Sequence, residues 1–196
     1  MFLVVAIWTS IAAGEKGKDT AVMAIMNQPP YGFVNRNRNK SGYFYDIVKT
    51  ILNNARISKD IQLLPMKRLL KDVTAGVIDC TLVANTPYAR SHYRPIAPLG
   101  ISLEAVIVPK AGVALSRYGD LQGLKIAVPR GVSFDGRFDR DTSLTKIATN
   151  DTRQSVLILE RGCVDAIAGV WGSYLYNARK LGFQPDKIFG RPLMFN

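Results

Sequence analysis

The sequence is short of histidine, cysteine and long apolar runs, and each scarcity removes a class of function. One histidine in 196 residues excludes a zinc site built on several imidazoles. Two cysteines are too few for a disulfide-stapled scaffold. The one leader-like apolar run is shorter than the roughly 20 residues a membrane-crossing helix needs. A GxxxxGK[ST] phosphate loop is missing, which argues against nucleotide phosphates. Basic residues are many but scattered, without the concentrated stripe expected of a nucleic-acid binder.

What is present is globular. Hydrophobic residues make up 47% of the chain and charged residues 21%. The length suits one large domain or two small lobes. The net charge is +11, a field that draws anionic ligands. The chain opens MFLVVAIWTSIAAG, with no charged side chain before Glu15. An apolar stretch followed by Ser10, Ala12, Ala13 and Gly14 reads as a secretory signal over residues 1–14. No Lys or Arg precedes the run, so a buried first strand or helix is the alternative.

Beyond it, strand and helix patterns alternate. Residues 21–26 read as a strand and the Pro-, Gly- and Asn-rich stretch after them as a loop. Residues 43–56 place Ile47, Ile51 and Leu52 at helical spacing. Strands are expected at 61–64, 77–84, 103–108, 120–128, 144–149 and 164–170. Helices are expected at 66–75, 152–161 and 173–181, stopped by Gly76, Gly162 and Gly182. Such alternation gives a mostly parallel sheet covered by helices. One internal echo stands out: Gly76 and Gly162 lie 86 residues apart, as do Asp79 and Asp165. It agrees with two α/β lobes meeting near residues 106–112, whose ligands would sit beyond the carboxyl ends of the strands.

Four stretches in collinear order carry a resemblance: PPYGFVNRNRNKSGYFYDI, LPMKRLLKDVTAGVIDCTLVANTPYARSHYRPIAPLG, GDLQGLKIAVPRGVSFDG and LERGCVDAIAG. Together they resemble the extracellular (periplasmic) solute-binding proteins of family 3, the amino-acid-type substrate-binding proteins of ABC importers. The resemblance runs from Ala21 to Phe195. It implies a periplasmic-binding-protein-like II fold, with two α/β lobes and a ligand cleft between them. The expected division is lobe 1 at 15–107, lobe 2 at 108–190, and the start of a return segment at 191–196. Two departures accompany it. Family members continue beyond the position of Asn196, so the chain reads as truncated. They also usually carry an Asp after the second Gly-x-x-Asp strand, where this chain has AIAGVWGS.

The resemblance makes Arg90 the clamp for a ligand carboxylate, a task that suits the two parallel hydrogen bonds of a guanidinium. Asn85 and Thr86 would add hydrogen bonds from the same loop. Tyr31 and Phe33 would offer an aromatic face, or else pack beneath their loop. Arg130, Gly131, Val132 and Ser133 follow a strand and are expected to open a helix, whose free N–H groups favour anions. Trp171 would wall the ligand site or pack in the core, with Ser173 and Tyr174 beside it. Lys67 and Arg68 read as a solvated helix face. Cys80 and Cys163 read as unpaired, and His92 has no evident catalytic partner.

The expectation is an exported, non-catalytic, monomeric protein that is periplasmic or extracellular. It would need no cofactor and no metal, and it would not bind nucleic acid. It would pass a small, anionic, carboxylate-bearing ligand to a membrane ABC permease. The alternatives are the sensory domain of a larger receptor, or an enzyme on the same fold using Glu160 or Asp135.

Overall fold

The computed structural model describes residues 2–10, 21–57 and 60–195, with only the backbone described at 2–10. The chain divides into two compact units, an N-terminal one over Leu3–Ser102 and a C-terminal one holding Leu103–Asn196. The expected divide lay at 107–108.

The N-terminal unit contains β1 (Phe2–Ser10), β2 (Met23–Met26), β3 (Phe33–Val34), β4 (Lys40–Ser41), α1 (Tyr43–Ala55), β5 (Ile61–Leu64), α2 (Met66–Thr74), β6 (Cys80–Ala84) and α3 (Pro87–His92). Strand β2 is the centre of the parallel set, paired with β5 on one side and β6 on the other. All four of its residues are buried, as expected of a parallel strand covered on both faces. Helix α1 seals one face through Phe44, Val48 and Leu52. That i, i+4, i+8 stripe differs from the one read from Ile47 and Ile51, which are half-buried. The aromatic ring of Phe44 sets the rotation. Helix α2 adds Leu69 and Val73.

Strand β7 (Tyr93–Pro109) carries the chain onward and is far longer than the expected 103–108. It contains Pro95 and Pro98, whose fixed φ is compatible with extended backbone. The C-terminal unit then builds β8 (Lys125–Pro129), α4 (Gly136–Arg140), β9 (Thr145–Thr149), α5 (Thr152–Glu160), β10 (Ala166–Val170), α6 (Trp171–Lys180), α7 (Pro185–Ile188) and β11 (Leu193–Met194). Here β8 is the central strand, parallel to β9 and β10. Its core joins Val106, Val108, Ala127, Val156, Leu159, Ile167 and Tyr174. The stretch expected to begin a return to the first lobe contains β11, paired with Val106 and Ile107.

The echo in the sequence is a repeated frame. Shifting α2 by 86 residues gives α5, end to end, and shifting β6 gives β10. Both helices close with the same pair of bonds: Gly76 N–H to Val73 O and Val77 N–H to Asp72 O, then Gly162 N–H to Leu159 O and Cys163 N–H to Ile158 O. This closure needs a left-handed residue, and the two glycines supply it at φ 71° and 74°. The paired aspartates also match. Asp79 exchanges two bonds with the residue opening β2, its carboxylate accepting from Val22 N at 2.7 Å and its own N–H donating to Val22 O at 2.9 Å. Asp165 does the same with Lys125 at the start of β8, at 2.8 and 2.9 Å.

The signal-peptide expectation falls partly outside the described residues, which include neither Ala12, Ala13 nor Gly14. Within them, Phe2–Ser10 is extended and lies antiparallel to β6.

Candidate functional site

The N-terminal unit gathers three of the expected residues at the carboxyl end of β6. Pro87 opens α3, and Thr86 before it caps the helix by accepting Ala89 N–H at 3.1 Å. The cap leaves the Thr86 hydroxyl proton free to donate. One turn later, Arg90 reaches back to Asn85 and donates from Nη1 to its Oδ1 at 3.3 Å and its carbonyl at 3.4 Å. Arg90 is exposed, and its Nε and Nη2 have no acceptor among the described residues. The loop thus presents an anchored guanidinium beside a hydroxyl donor, an arrangement suited to a carboxylate.

Sequence reasoning passed over Tyr88 on the same helix. Its exposed ring stacks on His92, with centroids 4.1 Å apart and planes at 19°. Tyr93 supports the pair edge-on, anchored by its hydroxyl donating to Leu70 O at 3.1 Å. Burial raises the Tyr93 pKa. The signal available in the sequence was the spacing Tyr88, Arg90, His92 on a single short helix.

Tyr31 lies elsewhere. Its ring is 7% exposed and packs on Phe44 at 5.0 Å, while its carbonyl accepts Phe44 N–H. This is the packing alternative, a ring under α1 instead of an open platform. Phe33 is half-buried in β3. On α2, Lys67 is exposed and Arg68 pairs with Asp72 at 3.2 Å.

In the C-terminal unit the loop after β8 does not open a helix at Gly131. Helix α4 begins at Gly136 and is capped by Asp135, which accepts the N–H groups of Arg137 and Phe138. The reason is Asp139. Its carboxylate takes the Ser133 hydroxyl and the Phe134 N–H, donors that an anionic ligand would otherwise use. Arg130 N–H is spent on Thr149 O, although the Arg130 side chain is exposed. Gly131 makes the turn at φ 78°, and Val132 is half-buried.

After β10, α6 starts at once with Trp171, which packs edge-on against Phe189 at 5.4 Å. Ser173 and Tyr174 are fully buried. The Tyr174 hydroxyl donates to Ala168 O at 2.6 Å, and burial raises its pKa. Gly169 is obligatory beneath it, because a Cβ there would strike the Tyr174 hydroxyl.

A cavity of about 550 Å³ in this unit is lined by Ile107, Arg117, Tyr118, Asp135, Arg137 and Phe195, among others, and by none of the expected ligand-binding residues. Arg137 lies over the Tyr118 ring at 3.8 Å. Burial and its hydrogen bond to Asp141 push Tyr118 up to about 12. Among the described residues, no group of three or more His, Cys, Asp or Glu could hold a metal ion. Cys80 and Cys163 are both free thiols.

No protein-family model matches the sequence, and no curated protein matches it. Solved structures do match. An ancestral arginine-binding protein bound to arginine superposes with a TM-score of 0.76 at 17% identity, covering 91% of this chain and 81% of the other. The P235GK mutant of the arginine-binding protein from T. maritima gives 0.73 at 20% identity, covering 89% and 79%. An ABC uptake transporter substrate-binding protein from Streptococcus pneumoniae with bound histidine gives 0.72 at 15% identity, covering 90% and 78%. At these identities the likeness is one of architecture, and the chain has the two-lobed α/β fold of the periplasmic solute-binding proteins.

Proposed function

We propose that the protein is a solute-binding protein that captures a small carboxylate-bearing ligand outside the cytoplasm and delivers it to a membrane ABC permease. The observation that carries this reading is the Asn85–Thr86–Arg90 loop at the carboxyl end of β6, where the Asn85 side-chain oxygen and backbone carbonyl hold a guanidinium whose Nε and Nη2 have no acceptor among the described residues. Its setting supports the reading, since similar structures are named for binding arginine and histidine.

The test is calorimetric titration of the full chain with a panel of amino acids and small carboxylates. A saturable ligand should lose its affinity about 30-fold or more when Arg90→Ala removes one side of the charge pair, the effect of a 2–5 kcal/mol loss. Arg90→Lys should restore little, since an ammonium lacks the two-pronged geometry. An affinity indifferent to both changes would remove Arg90 from the site.

A further inference from the structure

The cavity beside Tyr118 in the C-terminal unit holds two opposite charges that do not meet. Asp135 and Arg137 both line it. Yet the ion pairs among the described residues are Lys40–Asp60, Arg68–Asp72 and Arg117–Asp120, and neither residue is in one. Each is held by something else. The Asp135 Oδ1 caps α4, accepting the N–H groups of Arg137 at 2.9 Å and Phe138 at 3.0 Å. Its Oδ2 accepts no hydrogen bond among the described residues. The Arg137 guanidinium rests on the Tyr118 ring at 3.8 Å, and it too has no acceptor among them. Tyr118 is fixed in turn, its hydroxyl donating to Asp141 at 2.8 Å. The neighbouring cation is engaged, since Arg117 Nε donates to Asp120 at 3.1 Å. The strands supply an apolar side to the same cavity. Ile107 of β7 and its register partner Leu193 of β11 line it, followed by Met194 and Phe195.

The geometry points to this cavity as a binding site of its own, for a small zwitterion with an apolar side group: an amino acid whose ammonium meets Asp135 Oδ2 and whose carboxylate meets Arg137. A simple anion would share the cavity with the Asp135 carboxylate, and a simple cation with the Arg137 guanidinium. A zwitterion satisfies both at once, through charge-assisted hydrogen bonds of the strong kind. A guanidinium stacked on an aromatic ring keeps its N–H donors for such a carboxylate. The volume, about 550 Å³, lies in the range of small-molecule sites. An apolar wall alone accepts many molecules, and the few polar groups within it fix orientation and choice. None of Asn85, Thr86 and Arg90 takes part, so the inference does not rest on the solute reading.

Met194 provides the readout, because it lines the cavity and is exposed. The full chain is labelled at its methionine methyl groups, and the Met194 signal is assigned through Met194→Leu. It is titrated with L-phenylalanine, with hydrocinnamate, which lacks the ammonium, and with phenethylamine, which lacks the carboxylate. A saturable shift of the Met194 signal with L-phenylalanine is expected. The two analogues should bind at least about tenfold more weakly, the size of one lost hydrogen bond to a charged group. Asp135→Asn keeps a side-chain cap for α4 and should weaken L-phenylalanine by a similar factor, as should Arg137→Gln. A Met194 signal that stays still, or that answers all three probes alike, overturns the proposal. The probe series uses the unaltered chain, so it decides the matter even if a variant fails to fold. In an Arg90→Ala chain the Met194 response should persist unchanged. A response lost with Arg90 would assign the amino acid to the loop after β6, overturning this site while supporting that one.

Discussion

The two units repeat one frame and differ where the frame ends. Helices α2 and α5, strands β6 and β10, the Gly76 and Gly162 closures and the Asp79 and Asp165 clasps coincide at a constant spacing. After the third parallel strand they part. The N-terminal unit inserts Asn85 and Thr86, then the short α3, and leaves Arg90 and Tyr88 exposed. The C-terminal unit passes straight into the longer α6 and buries Ser173 and Tyr174. The loop after the first strand differs likewise. In one unit it carries the β3–β4 hairpin, and in the other Asp139 occupies its donors. Frame and loops are thus separable: shared positions hold the sheet together, and divergent ones decide which side-chain donors stay exposed.

The sharpest way to break this comparison is at Gly169, whose counterpart in the shifted frame is Val83. Gly169→Ala should destabilise the C-terminal unit by about 1–3 kcal/mol through overpacking against Tyr174. Denaturant unfolding should show much of that cost relieved in a Tyr174→Leu background, because the hydroxyl and the ring carbons Cζ and Cε2 that would meet the new Cβ are gone. Additive costs would mean that the close approach is not the cause.

The aspartate clasps test equivalence directly. Asp79→Ala and Asp165→Ala each remove one carboxylate bond to a strand-opening N–H, worth about 1 kcal/mol. Equal losses in chemical denaturation are expected. A clear inequality would show that the two clasps carry different loads despite matching geometry.

The smallest effect separates the units by acid. Hydrogen bonds from Ser116 N–H, then from Arg117, hold Asp120 below its ordinary value. Those from the Ser143 hydroxyl and from Tyr118 do the same for Asp141. Both carboxylates have folded values lower than unfolded ones. Their contribution is therefore present above the ordinary carboxylate value and fades as pH falls below it through the depressed folded values. The amide-exchange protection factor at Leu121 should fall over that range, while that at Leu52 in α1 changes less. The reverse order would refute the assignment.

Much of the frame was legible in the sequence because its signals are local. Glycine after a helix, a four-residue apolar strand at 61–64 and the paired Gly-x-x-Asp all act within a few positions. The rest depended on partners far along the chain. Ser133 looked like an anion donor until Asp139 closed on it, a contact between a loop and the helix after it that no periodicity announces. Strand β7 was read only at 103–108 because the extended course of its first half comes from its sheet. Arg90 was legible only through resemblance, as one cation among 26 basic residues. Nothing local marks it apart from the Thr-Pro that sets its helix.

The register of β1 carries a consequence for the order of events during synthesis. Val5 pairs with Ala84, 79 residues later in the chain, so β1 is made well before the strand it pairs with. At about 5–20 residues per second, it emerges several seconds before its partner exists. During that interval an apolar segment waits without a partner strand. Folding of this half cannot finish until translation has nearly reached β7, and until then a targeting factor or a chaperone can compete for Phe2–Ser10.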